Sequence, residues 1–184
     1  RPGEPFRLSV KVEDIWGNPS NQVEQTVIVK SDVEIKGLPD TLVFRKGEFA
    51  QVVDGLSVDQ SSRIRISIID QEGYTLTRSN PLLIREMPYA HYWSDMHGQS
   101  GETIGINTAR EYFDFARNKS FVDICGHQGN DFQITDAFWQ ELNELTAEFE
   151  EPGRFVTLPG YEWSGNTGLG GDHNVWYRHE GRPI

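Results

Sequence analysis

Cysteine is almost missing from this sequence: Cys125 is the one cysteine among 184 residues, so no disulfide can close within the chain. A reducing, cytoplasmic setting is the expectation that follows. Long apolar runs are missing too. No stretch approaches the roughly 20 consecutive apolar residues of a membrane-spanning helix, and no basic start leads into an apolar run as a secretion signal would. The membrane and export classes are therefore not indicated. Positive charge is scarce: 17 Lys and Arg stand against 28 Asp and Glu, for a formal net charge of −11. A field of that sign repels nucleic acid and anionic lipid surfaces, which removes both as expected partners. An initiating methionine is missing as well. The sequence starts at Arg1 and stops at Ile184 inside what reads as ordered chain, and is expected to be a piece of a longer protein.

What is present falls into two halves with different patterning. Up to Glu86 the residues read as short strands separated by turns. Phe6, Leu8, Val10 and Val12 alternate with polar neighbours, the period of a half-buried strand. Gly17-Asn18-Pro19 then breaks the chain. Val27-Ile28-Val29, Leu42-Val43-Phe44, Phe49 to Val53, Ile64 to Ile69 and Leu82-Leu83-Ile84 follow at short intervals, punctuated by glycine. Several strands at this spacing with no helical pattern between them predict an antiparallel, Ig-like β-sandwich over 1–86. No concentrated polar constellation marks it, so it is read as a structural module.

Beyond the linker Glu86-Met87-Pro88-Tyr89 the pattern becomes strand, loop, helix, repeated. Strands are predicted at Tyr92 to Met96, Phe121 to Cys125, Phe155 to Leu158 and Val175 to Tyr177. Asn107 is the expected N-cap of a first helix and Thr135 of a second, whose Phe138, Leu142, Leu145 and Phe149 form an apolar stripe. Cys125, inside an apolar run, reads as a buried structural thiol. Strands alternating with helices predict parallel pairing and an α/β architecture over 90–184.

In such architectures, active sites gather at the carboxyl ends of the strands. After the first predicted strand come Asp95, His97, Gln99 and Glu102. His127, Asn130 and Asp131 follow the second, and Glu162, Asp172 and His173 follow the third. Imidazoles and carboxylates from separate loops are the usual ligands of zinc, manganese or iron. One loop histidine is ordinarily a surface or hydrogen-bonding residue; the joint placement points to a metal site. Glycines crowd the same segments, with Gly98 and Gly101 around the first, Gly126 and Gly129 around His127, and Gly160 before Glu162.

Three stretches carry a resemblance. Asp95-Met96-His97-Gly98-Gln99 resembles the opening motif of the PHP (polymerase and histidinol phosphatase) superfamily of metal-dependent phosphoesterases. Ile124-Cys125-Gly126-His127 resembles its second motif, and Leu158-Pro159-Gly160-Tyr161-Glu162 its third, while Gly171-Asp172-His173 falls where a further ligand is expected. The likeness covers about residues 90–184. It implies the truncated first part of a PHP-type α/β barrel, with His97, Gln99, His127, Glu162 and His173 as metal ligands. Glu162 and Glu102 are the implied catalytic carboxylates. Gln99 stands where most members have histidine.

The implied cofactors are about two or three divalent ions, zinc, manganese or iron, acting on bound water. The implied partner is a small phosphorylated substrate. Asp95, Asp123 and Asp172 could orient the imidazoles from behind or simply cap loops. Arg178 and His179 could meet substrate oxyanions or stand as surface charge. Hydrolysis of another bond (sulfate ester, amide or lactone) and a metal-binding scaffold without turnover are the alternatives.

Overall fold

Alternating apolar residues produce strands in the first half of the chain, and turn residues decide how those strands pair. The computed structural model describes residues 1–165, 168 and 170–184, in two compact units, Arg1–Ala90 and His91–Ile184.

In the first unit β1 (Phe6–Lys11) pairs antiparallel with β4 (Ala50–Leu56), with a register shift between Phe6 and Leu8. β2 (Gln25–Ser31) lies between β3 (Thr41–Phe44) and β6 (Ile66–Ile69), and β7 (Thr75–Arg78) extends that sheet beyond β6. β5 (Ser62–Ile64) and β8 (Leu82–Ile84) make a third, two-stranded sheet. The run Ile64 to Ile69 therefore divides between two sheets. At the break the Asp32 carboxylate accepts the Arg65 amide and Ser79 Oγ accepts the Ile66 amide, which takes both N–H groups out of any continuous ladder. Val27, Leu42, Phe44, Leu56, Ile64, Ile66, Ile68 and Ile84 nonetheless close into one core, as the period of 2 requires of residues sharing a buried face.

The second unit opens with β9 (Ser94–Gly98). α1 (Ala109–Phe115) follows, capped by Thr108 rather than Asn107. Thr108 and Glu111 form a capping box, the hydroxyl accepting the Glu111 amide while the carboxylate accepts the Thr108 amide. Thr108→Ala should therefore destabilise the unit by about 1 kcal/mol, read as a lowered urea midpoint at unchanged slope. The helix widens into a π-turn at Ala116–Ser120 and stops at Phe121, a non-glycine residue in the left-handed region at φ 56°. β10 (Ile124–His127) then pairs parallel to β9, α2 (Asp136–Phe149) crosses back, and β11 (Val156–Thr157) pairs parallel to β10. Phe113, Phe138, Leu142, Leu145, Phe149 and Phe155 pack as the core between helices and sheet. Cys125 lies fully buried there, and burial pushes its thiol up to about 12, so it is an inert packing group.

The expected fold class, an Ig-like sandwich followed by part of a PHP-type α/β barrel, needs correction. The described residues form mostly small β-sheets with two short α-helices, and no barrel forms among them. The parallel sheet ends at three strands, in the order β11-β10-β9. Regular pairing with β10 lapses after Leu158, and β12 (Gly160–Trp163) keeps one parallel bridge, Glu162 to Asn130 in the loop after β10. It pairs antiparallel with β13 (His173–Trp176), the segment expected as a further parallel strand. Among the described residues no helix is long and apolar enough to cross a membrane.

Candidate functional site

The carboxyl end of the parallel sheet and the β12–β13 ribbon bring one polar cluster together, centred on Glu162. Antiparallel pairing sets Glu162 opposite Asn174 and Trp163 opposite His173. Residues directly opposite share a face and successive residues alternate, so Glu162 and Asn174 lie on one face of the ribbon while Trp163 and His173 lie on the other. The β12 backbone is fixed against the loop after β10, with the Glu162 amide donating to the Gly129 carbonyl and the Asp131 amide to the Glu162 carbonyl.

Glu162 is buried, with 9% of its surface exposed. Its Oε2 accepts from Asn130 Nδ2 at 2.8 Å and from Gln99 Nε2 at 3.2 Å, and lies 3.5 Å from His97 Nε2. Gln99 is turned by its other contacts. Its Nε2 also reaches the Gln128 carbonyl at 2.6 Å, and its Oε1 accepts the Thr103 hydroxyl at 2.6 Å. With a third acceptor, Asn130 Oδ1, 3.4 Å from the same nitrogen, the opposite amide orientation would set oxygen against oxygen. Gln99 thus supports the carboxylate as a donor and does not present its oxygen as a ligand. Asn130 Nδ2 also reaches Ser164 Oγ at 2.8 Å. On the far side of the His97 ring, Asn174 Nδ2 sits 2.7 Å from Nδ1.

The other expected ligands lie elsewhere. His127 is 2% exposed, with Nε2 2.8 Å from Ser100 Oγ and Nδ1 accepting the Gly129 amide at 3.2 Å. The Tyr112 and Phe138 rings pack edge-on to it. Burial pulls its pKa down to about 4, against a smaller opposing pull from the Glu102 charge. Both ring nitrogens are therefore engaged inside the protein. His173 is exposed and stacked on Trp163, with centroids 5.5 Å apart, on the face turned from Glu162. Glu102 is exposed in a turn.

The supporting aspartates divide in the same way. Asp95 accepts the His97 amide and Asp123 accepts the Trp93 amide, both fixing the backbone around β9. Asp172, Arg178 and His179 are exposed. Two surface hollows, lined by Thr26, Phe44 and Lys46 and by Lys30, Arg65 and Arg78, belong to the first unit and hold no such cluster.

Whether a metal fits can be read from the donors. Their chemistry suits zinc, manganese or iron: an imidazole nitrogen and a buried carboxylate in contact. Their number falls short, since among the described residues no three His, Cys, Asp or Glu come together in a way that could hold an ion. Sequence reasoning missed Gln128, Asn174, Thr103 and Ser100. No sequence signal marked Asn174, because it joins the cluster only through the β12–β13 register that sets it opposite Glu162.

Residues 74–183 match the family described as "Protein of unknown function (DUF3604)". An uncharacterized protein of Chlamydia pneumoniae is 23% identical over 180 residues. That alignment covers 95% of this chain and 29% of the relative, so the chain spans under a third of that protein's length. No solved structure matches the chain.

Proposed function

We propose that this chain, which belongs to the DUF3604 family, carries part of the site of a metal-dependent hydrolase acting on small phosphoesters. The observation behind the proposal is the convergence of Asn130, Gln99 and His97 on one buried carboxylate oxygen of Glu162. A carboxylate taken out of water is costly unless charge-compensated and hydrogen-bonded. Here neutral amides supply the bonds and leave the negative charge for a cation. The likeness to the PHP motifs enters through these residues and not through a barrel.

His97 and Glu162 would hold a divalent ion, with further ligands needed to complete its sphere. The ion's contribution when bound would be a water acidic enough to yield hydroxide near neutral pH. The chain's own residues orient and restrain. Gln99 and Asn130 fix the Glu162 carboxylate, and Thr103 fixes Gln99. The acidic surface favours small substrates over nucleic acid. A second reading, a metal-binding or scaffold module without turnover, draws on the internal engagement of His127 and Gln99.

Elemental analysis of the purified chain and of its full-length parent, beside Glu162→Gln, tests the proposal together with a panel of phosphate and sulfate esters. The expected result is bound zinc, manganese or iron that falls on substitution, with phosphoester turnover in the parent reduced about 100-fold or more. Metal without turnover supports the scaffold. No metal in either protein, even after reconstitution, overturns both readings.

A further inference from the structure

The amide groups behind His97 form a chain whose polarity can be read from its ends. Gln128 is fully buried, and its Nε2 lies 3.1 Å from the His127 carbonyl and 3.3 Å from the Val175 carbonyl. Carbonyls only accept, so the nitrogen must face them and Oε1 must face the other way. Asn174 Nδ2 meets that Oε1 at 2.9 Å. An oxygen in its place would face another oxygen, so the Asn174 amide is fixed too. The same Nδ2 lies 2.7 Å from His97 Nδ1, which must therefore accept. The ring proton of neutral His97 is left on Nε2, the nitrogen beside the Glu162 carboxylate.

We infer that Asn174, clamped by Gln128, is a positioning residue that holds His97 in the Nε2–H tautomer and so opposes metal ligation through that nitrogen. The inference rests on reading His97 and Glu162 as the site. To ligate through Nε2, the ring must move its proton from Nε2 to Nδ1, and there it would meet the Asn174 N–H group. Metal-binding histidines ordinarily offer their second N–H to a carboxylate or carbonyl acceptor. Here a donor occupies that place. Rotating Asn174 would supply an acceptor, but at the cost of setting its oxygen against Gln128 Oε1. Ion binding at His97 and the Gln128–Asn174 pairing are therefore competing states. An acceptor at position 174 would shift the balance toward the ion.

Long-range proton–nitrogen NMR at about pH 8, where imidazole is neutral, reads the tautomer directly. The His97 signals are assigned by their loss in His97→Gln. The 184-residue chain should show a pyrrole-type Nε2 and a pyridine-type Nδ1 at His97. Asn174→Asp, nearly isosteric, should reverse them and tighten zinc binding in equilibrium dialysis by about 10–100-fold. Asn174→Ala should give a mixture of both forms, which keeps the test available should the aspartate variant not fold. A wild-type proton on Nδ1, or an Asn174→Asp tautomer like the wild type's, overturns the inference. Equal zinc affinity in the two proteins overturns the competition with metal. The tautomer measurement needs neither metal nor turnover, so a failed hydrolase reading would show separately as zinc bound by neither protein.

Discussion

Gly160→Ala is expected to cost the second unit about 3 kcal/mol, through overpacking and a disturbed buried hydrogen bond. A Cβ at this position would fall on the Val175 carbonyl oxygen and on Gln128 Nε2, with Trp176 Cδ1 at 3.3 Å. Neither of the first two can retreat cheaply. The carbonyl belongs to β13 beside Trp176, the cross-strand partner of Gly160. The Gln128 amide nitrogen is held between two carbonyls. Glycine is needed here for lack of a side chain.

Gly153→Ala is the contrasting case. Gly153 has φ 81° and no atom within 4 Å of an added Cβ, so only the left-handed backbone penalises alanine, by about 1–2 kcal/mol. Urea unfolding followed by tryptophan fluorescence separates the two. Four of the five tryptophans, Trp93, Trp139, Trp163 and Trp176, lie in the second unit. If Gly160→Ala proves no costlier than Gly153→Ala, the packing of the ribbon on Gln128 is not as described, and the anchoring of Asn174 falls with it.

The helices were legible in the sequence because their signals are local. Thr135 caps α2, and Phe138, Leu142, Leu145 and Phe149 fall on its buried face, since a stripe at helical spacing leaves one way to bury itself. At α1 the expected cap was one residue early, although Thr108 with Glu111 three residues on carries the stronger signature. Sheet closure was not legible. Phe155 to Leu158 and Val175 to Tyr177 announce extended chain, but nothing in their periodicity chooses a partner. The choice follows from a ribbon that pairs β12 with β13, which the Pro159 carbonyl joins by accepting the Tyr177 amide.

The same long-range choice decided which polar residues meet. The residue types around the strand ends singled out His97 and Glu162, which the fold brings to 3.5 Å. His173 was equally conspicuous as a residue type, yet it lies one position from Asn174, and one position along a strand reverses the face. His127 sits at the buried end of β10, where its environment is set by Tyr112, Phe138 and Ser100 from other elements. Burial of that kind depends on tertiary packing, which strand periodicity does not reveal.

That burial has a consequence for acid stability. His127 has its folded pKa pulled down to about 4, chiefly by burial, against an unfolded value near 6.5. Above about pH 6.5 the imidazole is neutral in both states and folding pays nothing for it. As pH falls from 6.5 toward 4 the unfolded chain takes up a proton that the folded chain refuses, and stability is lost. The slope approaches 1.4 kcal/mol per pH unit and the total is about 3 kcal/mol. Below the folded pKa both states are protonated and the loss stops growing. Carboxylates held low by partners, such as Glu148 beside Arg110, lose their contribution mainly at lower pH, so the interval from about 4.5 to 6.5 belongs chiefly to His127. His127→Gln should lower stability at neutral pH by removing the packed ring, yet flatten the pH dependence across that interval. Urea midpoints measured at several pH values for both proteins decide the matter. A wild-type slope no steeper than the variant's would mean that His127 takes a proton in the folded state as readily as in the unfolded one. The Gly129 N–H could not then be its lasting partner at Nδ1, and the imidazole would again be open to an ion.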